Sequence, residues 1–205
     1  MKKGYFITFE GVDGCGKTTQ MKLLAEYLQN KGYEVVITRE PGSRGLGEKI
    51  REILLHYEGD VSSDAESFLF LADRAQNIDE IVNPAVAAGK IVLCDRHTDS
   101  TIAYQGYGRG IDIKKLTLLN DIAVGGRKPD MTFVFDIDID TSMKRVGQEK
   151  DRMESSGADF FNKVRNGYLE IGKQEPERVK ILDAAKSIEE IFKEVSKYAQ
   201  ELFAS

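Results

Sequence analysis

The sequence predicts an α/β protein of three layers, a five-stranded parallel sheet flanked by helices, and three observations carry that expectation. Short runs at residues 5–9, 34–38, 91–96, 131–137 and 179–182 are rich in β-branched and aromatic residues and end in glycine, proline or charge. Between them lie longer stretches whose apolar residues recur at three-and-four spacing, the pattern of a helix with one buried face. Strands that alternate with helices pair in parallel, because a parallel neighbour is reached only through a crossover, and crossovers take the right hand. The third observation is a glycine-rich turn joining the first run directly to the first helical stretch.

That turn, Gly11-Val12-Asp13-Gly14-Cys15-Gly16-Lys17-Thr18, fits G-x-x-x-x-G-K-S/T, the phosphate-cradling loop of nucleoside-triphosphate enzymes. Glycines let successive backbone N–H groups turn toward one anion with no Cβ in the way. Lys17 is placed to reach the β- and γ-phosphates, Thr18 offers a hydroxyl to Mg²⁺, and the helix that begins here points its positive end at the same charge. The flanks suit the motif: Tyr5-Phe6-Ile7-Thr8-Phe9 precedes it, and Met21, Leu24, Ala25 and Leu28 mark one helix face after it, with Gly32 placed to end that helix. The fold class is therefore the three-layer P-loop NTPase fold. A ligand-free glycine-rich turn is the competing reading.

A chain of 205 residues suits one α/β domain with a sizeable core, so residues 1–205 read as a single unit. With 41% apolar and 31% charged residues it has a soluble globular composition, and no run nears the ~18 apolar residues of a membrane span. The first strand follows the N-terminus with no signal-peptide pattern, and Cys15 and Cys94 suggest neither a disulfide framework nor a zinc site; the cytoplasm is the expected address. A net charge of −5 argues against a general nucleic-acid binder. Anionic ligands must then be met locally, around Arg39, Arg96 and residues 144–152.

Taken in order, residues 34–38 read as a strand buried in the sheet, ending in the turn Arg39-Glu40-Pro41-Gly42-Ser43-Arg44-Gly45. Loops at the carboxyl ends of parallel strands line the ligand crevice, so its arginines either hold a phosphate or sit in solvent. Residues 46–56 read as a helix. Ser63 with Glu66 resembles a capping box opening a helix through Ile81, which Pro84 and Gly89 then close. Phe70 and Arg74, four apart on it, share a face and would suit a nucleobase, the ring for stacking and the guanidinium for the edge. From spacing alone, core packing of Phe70 is the stronger reading.

The run 91–96 breaks into charge as Asp95-Arg96, a carboxylate to organise Mg²⁺ beside the phosphate loop and a guanidinium to grip a second phosphate. Residues 97–106 are dense in hydroxyls, an amide and an aromatic, which either ligand or water must satisfy. A turn at 107–110, a helix at 113–124 and the strand 131–137 follow, with Asp140 placed to cap the next helix. Residues 144–157 carry four basic residues and no sustained apolar face, either a solvated charged face or a short basic lid. A helix at 160–171 and the last strand lead to a helix capped by Ser187 with Glu190, whose stripe is Ile188, Ile191, Phe192, Val195 and Leu202.

Two anion sites facing one crevice suggest phosphoryl transfer between two bound molecules. No N-K-x-D base-reading motif supports a GTPase, since Asn162-Lys163 is followed by Val164-Arg165. The combination F-E-G-x-D-G-x-G-K-T-T-Q (9–20), R-E-P-G (39–42), F-L-x-x-A-D-R (68–74), D-R-H-x-x-S-T-x-A-Y-Q-G (95–106) and the basic stretch 145–154 resembles the thymidylate kinase family nearly end to end. The resemblance implies ATP + dTMP giving ADP + dTDP, with Mg²⁺, in a homodimer. It implies that Gly11, Val12, Asp13, Gly14, Cys15, Gly16, Lys17, Thr18 and Thr19 bind ATP. For dTMP it implies Asp13 at the 3′-hydroxyl, Phe70 stacked on thymine, Arg74 and Gln105 at its edge, Arg39 and Arg96 at the monophosphate with Ser100 nearby, and Tyr104 crowding the 2′ position.

By the same resemblance Thr18 and Asp95 serve the metal, and Lys17, Arg96, Arg145 and Arg152 supply catalytic charge. Two departures matter. Ser43-Arg44 stands where the family often has Gly-Thr, so Arg44 has no assignment. Gly14 occupies a position where some members carry a basic residue, which sends transition-state charge to the lid, with the individual roles of Arg145, Lys150 and Arg152 open. A different nucleotide or deoxynucleoside kinase, or a non-catalytic nucleotide switch, are the competing functions.

Overall fold

A computed structural model of the chain describes residues 3–145 and 157–204. Five parallel strands form one sheet in the order β2-β3-β1-β4-β5: β1 Tyr5–Glu10, β2 Val35–Arg39, β3 Ile91–Asp95, β4 Met131–Asp136 and β5 Val179–Asp183. From β1 the chain passes to the edge strand β2, returns inward to β3 and then crosses to β4 and β5 on the other side of β1, so the connections change side at β1 and open a crevice at the carboxyl ends. Register pairs Phe9 with Asp95 and Arg39 with Asp95, which brings the ends of β1, β2 and β3 into one row.

Side-chain alternation explains why the strands read as continuous apolar runs. Ile7 and Phe9 belong to a large core cluster with Leu93 and Phe133. Leu24 and Leu28 of α1 (Lys17–Asn30) and Val195 of α9 (Ile188–Ala204) complete its helical side. Phe6, from the other face of β1, joins Val92 and Cys94 in a second cluster with Ile78, Val82 and Val124. Both faces are covered, so most strand residues are apolar on either face, and the buried polar ones, such as Thr8 against Thr132 and Glu10 beside Ser100, are hydrogen-bonded. The expected buried strand at 34–38 is instead an edge: β2 ends the sheet and Ile37 is 50% exposed. An apolar run does not record how many neighbours its strand has.

The other helices are α2 Leu46–His56, α3 Ser63–Asn77, α4 Asn83–Ala87, α5 Thr98–Thr101, α6 Ile113–Val124, α7 Ile139–Arg145 and α8 Ala158–Gln174. Caps differ from expectation by a residue or two. Ser62, not Ser63, caps α3, its hydroxyl accepting from Ala65 N at 3.3 Å, and Asp138, not Asp140, accepts from Thr141 N at 2.8 Å ahead of α7. The box at Ser187 forms as expected: Ser187 N donates to Glu190 Oε2 (3.0 Å) and Glu190 N to Ser187 Oγ (3.2 Å).

Pro84 does not end the long helix. A π-helical turn at Ile78–Val82 leads into α4 with Pro84 near its start, where a missing N–H costs little, and the helix closes at Gly89. The polar stretch after Arg96 is also helical, α5 running into a second π-turn at Ile102–Gly108. The lid expected at 144–157 lies outside the described residues except for Lys144, Arg145 and Gly157.

Candidate active site

The phosphate loop leaves β1 at Gly11, whose φ of 137° suits glycine, and a Cβ there would lie 2.8 Å from Phe135 O and 2.9 Å from Cys15 Sγ. Gly16, at φ 96°, immediately precedes α1 and turns the chain so that the helix N-terminus faces the loop. Lys17 Nζ donates to Gly11 O and Val12 O, each at 3.0 Å, so its ammonium is held inside the loop's own curve. From the other side Ser142 Oγ of α7 donates to Asp13 O at 2.6 Å.

Asp95 stands beside the loop because β3 pairs with β1. Thr18 Oγ1 donates to its Oδ2 at 3.1 Å, while its buried Oδ1 has no hydrogen-bond partner among the described residues. The next residue, Arg96, has φ 70° and is the one non-glycine with positive φ among the described residues. Such strain persists where surroundings over-determine it. Here Arg96 N donates to Phe9 O and His97 N to Glu10 Oε1, 2.9 and 2.7 Å.

The turn aims the Arg96 guanidinium into the crevice. Its Nη2 donates to Asp13 Oδ1 (2.8 Å) and Tyr104 OH (3.1 Å), and its Nη1 to Tyr168 OH (3.2 Å) and Ser100 Oγ (3.4 Å). Burial alone would raise the Asp13 carboxyl, but the charges of Arg96 and Lys17 outweigh it and hold the group down at about 2. Burial drives the Tyr104 phenol well above its ordinary value despite Arg96, so it stays a neutral hydroxyl.

The opposite wall comes from the β2 turn and α3. Arg39 Nε donates to Gly42 O at 3.1 Å, and Gly42 N donates to Asp73 Oδ1 at 2.9 Å. Phe70 is half-buried at the margin of the large core cluster and borders the crevice. Arg74, 1% exposed, donates to Glu40 Oε2 (2.8 Å), Thr101 Oγ1 (2.7 Å), Asn120 Oδ1 (2.6 Å) and His97 O (2.8 Å). The sequence suggests an open fork of donors; in the fold, four of a guanidinium's five N–H groups serve the protein itself.

These walls enclose a cavity of about 740 Å³, within the usual range for a small-molecule site. Asp13, Gly14, Cys15, Gly16, Lys17, Thr18 and Thr19 border one end. Arg39, Phe70, Arg74, Asp95, Arg96, Ser100, Tyr104, Gln105 and Arg145 border the rest. Gly11 and Val12 lie behind the loop, supplying the carbonyls that hold Lys17. Arg152 and Lys150 fall outside the described residues. Among the described residues no cluster of three or more His, Cys, Asp or Glu could hold a metal by itself.

A family model described as thymidylate kinase matches residues 9–195, from β1 to α9. The chain belongs to the thymidylate kinase family. It is 47% identical over 204 residues to a thymidylate kinase of Pelotomaculum thermopropionicum, covering 98% of this chain and 94% of that one. Against the thymidylate kinase of Desulfovibrio desulfuricans it is 45% identical over 196 residues, 91% and 90% of the two chains. Its structure resembles a crystal structure of thymidylate kinase from Ehrlichia chaffeensis, with a TM-score of 0.80 and 39% identity over 96% of this chain and 99% of that one.

In this thymidylate kinase family member a buried polar network behind the crevice escapes sequence reasoning. Glu40 accepts from Arg74, from Asn77 Nδ2 (2.9 Å) and lies 3.0 Å from His97 Nδ1. Burial opposes its charge, but His97 and Arg74 overcome that and lower the carboxyl to about 2. Glu10 accepts from Ser100 Oγ (2.6 Å) and Tyr168 OH (3.0 Å), and burial, with Asp99 nearby, raises it to about 7. Glu40 and His97 sit inside the R-E-P-G and D-R-H motifs, which signalled position without role. Tyr168 gave no signal, since its spacing in α8 is that of a core residue.

Proposed function

We propose that this member of the thymidylate kinase family transfers the γ-phosphoryl group of ATP to dTMP, yielding ADP and dTDP as a step toward dTTP. The observation that carries the reading is one cavity with an anion-cradling loop at one end, two arginines on strand-end turns, and an aromatic ring with amide and guanidinium groups beside it. In that reading the loop takes the ATP phosphates, Arg39 and Arg96 take the monophosphate, Ser100 supports Arg96, and Phe70 stacks on thymine. Asp13 accepts from the 3′-hydroxyl and the Tyr104 ring fills the space a 2′-hydroxyl would need.

Phosphoryl transfer asks for positioning and neutralisation of charge, with little covalent help. Lys17 and Arg96 supply fixed positive charge, and Arg145, which borders the cavity, and Arg152 supply more from a lid over residues 144–157. Mg²⁺ fits the residues present: the unpartnered Asp95 Oδ1 and the Thr18 hydroxyl would hold it or its water shell, with phosphate oxygens completing its ligands. When bound it neutralises charge on the β- and γ-phosphates.

The chain acts as one domain and as a homodimer in this reading. Phe68 of α3 and Leu118 and Ile122 of α6 are 54%, 62% and 69% exposed on helices that pack together, an apolar surface suited to a second copy. No helix among the described residues is long and apolar enough to cross a membrane, and both cysteines are free and buried, which suits the reducing cytoplasm. The net charge of −5 favours nucleotides over nucleic acid as partners. The test is ADP release from Mg-ATP with dTMP, dUMP, dCMP or thymidine as acceptor. Preference for dTMP supports the function, and ATP turnover indifferent to every acceptor overturns it.

A further inference from the structure

We propose that Glu66 decides which pyrimidine edge the site accepts, by locking the orientation of the Gln105 side-chain amide. This deepens the dTMP reading above and rests on it.

A glutamine amide is ambiguous. One end accepts and the other donates, and a half-turn exchanges them. Gln105 is 2% exposed and borders the cavity, so whichever end faces inward sets what a ligand must present. Its Nε2 donates to Glu66 Oε1 at 3.1 Å. Glu66 is 1% exposed and, as a carboxylate, offers only acceptors, so the donating end of the amide is drawn to it. Turning the amide over would set two oxygens against each other in a dry environment. Arg109 Nε lies 3.6 Å from the same Glu66 oxygen and its guanidinium rests 4.7 Å over the Phe160 ring, so a cation is fixed behind the carboxylate.

Glu66, Phe70 and Arg74 occupy successive four-residue steps of α3 and therefore share one face. That face presents the orienting carboxylate, the ring and the guanidinium in a row. Arg74 retains one N–H beyond the four engaged by the protein. With Gln105 locked, the site offers a base one acceptor, Gln105 Oε1, and one donor, Arg74. Thymine carries the complement, a donor at N3 and an acceptor at O4. 5-Methylcytosine has the same outline and methyl group, but its N3 accepts and its 4-amino group donates, so it opposes both groups.

The experiment compares dTMP with 5-methyl-dCMP as acceptor at saturating Mg-ATP in wild type, Glu66→Gln and Gln105→Ala. Glu66→Gln keeps the shape but brings a donor that can hold the amide turned over. The expected result is a fall of roughly tenfold or more in the dTMP to 5-methyl-dCMP ratio of kcat/KM. It should arise mainly from a higher KM for dTMP, with the KM for ATP and the melting temperature unchanged. A ratio as in wild type, while Gln105→Ala raises the KM for dTMP, overturns the role of Glu66. An unchanged KM for dTMP in Gln105→Ala instead removes Gln105 from the base and overturns the inference, whereas wild-type ATP turnover indifferent to every acceptor overturns the reading on which it stands. Calorimetry on wild type needs no variant to fold: binding of 5-methyl-dCMP within about threefold of dTMP sinks the inference, and binding weaker by roughly tenfold or more supports it.

Discussion

Asp13 and Arg96 form an ion pair across the crevice, with 2.8 Å between Oδ1 and Nη2. One comes from the phosphate loop and the other from the strained turn after β3, and in the proposed function each holds a different part of dTMP. They keep each other in place before the acceptor enters. Arg96→Ala should raise the KM for dTMP and lower kcat by on the order of 10²-fold, as for other electrostatic stabilisers. Arg96→Lys should restore little, because a point charge cannot reach Asp13, Tyr104, Tyr168 and Ser100 together. Steady-state kinetics with varied dTMP check both.

Lys17→Ala and Arg152→Ala test the two sources of charge at the transferring group. Each should lower kcat by on the order of 10²-fold or more. Wild-type turnover in purified Arg152→Ala would remove the lid from the mechanism, whereas the same result for Lys17→Ala would remove the phosphate loop.

Phe70→Ala separates stacking from packing. Phe70 borders the cavity and only the margin of the core, so its loss should weaken dTMP binding by about 1–3 kcal/mol, the range for an aromatic ring stacked on a base. The KM for ATP should hardly move. An unchanged Kd for dTMP, measured by calorimetry, returns the ring to a purely structural role.

Glu40 and Asp73 should contribute to stability with opposite pH dependence. Glu40 falls from 4.5 to about 2 because His97 and Arg74 outweigh its burial, so its contribution is present above pH 4.5 and lost as pH falls toward 2. Asp73 rises from 3.8 to about 7 through burial and the charge of Glu40, so its contribution is full below pH 3.8 and lost as pH rises through 7. Urea unfolding from pH 3 to 8 should show Glu40→Gln flattening the acid limb. Asp73→Asn should gain on wild type toward pH 8, its Oδ1 still able to accept from Gly42 N. A wild-type slope in either variant refutes that assignment.

How much was legible follows from how far apart the interacting residues stand in the chain. The phosphate loop, the strand ends at Arg39 and Asp95-Arg96, and the Ser187 cap are local patterns, since the backbone within a few residues dictates what can sit there. Sequence also misplaced caps by a residue or two at Ser62 and Asp138, because adjacent serines or aspartates are equivalent until the chain direction is known. Arg74 shows the limit most plainly. Its spacing put it on one helix face with Phe70, and both border the crevice, yet its partners Glu40, Thr101 and Asn120 lie 34, 27 and 46 residues away.

By itself the sequence determined the alternation of strands and helices, the phosphate loop and the family, and it named residues such as Phe70, Arg96 and Tyr104 that border the cavity. Tertiary structure alone decided that β2 is an edge, that Arg96 is locked to Asp13, that Arg74 is mostly engaged from within, and that the Gln105 amide donates to Glu66. The division has one physical cause. Backbone propensity and hydrophobic period act over a few residues, whereas a buried polar atom takes its partner from whichever strand or helix the packed core brings beside it.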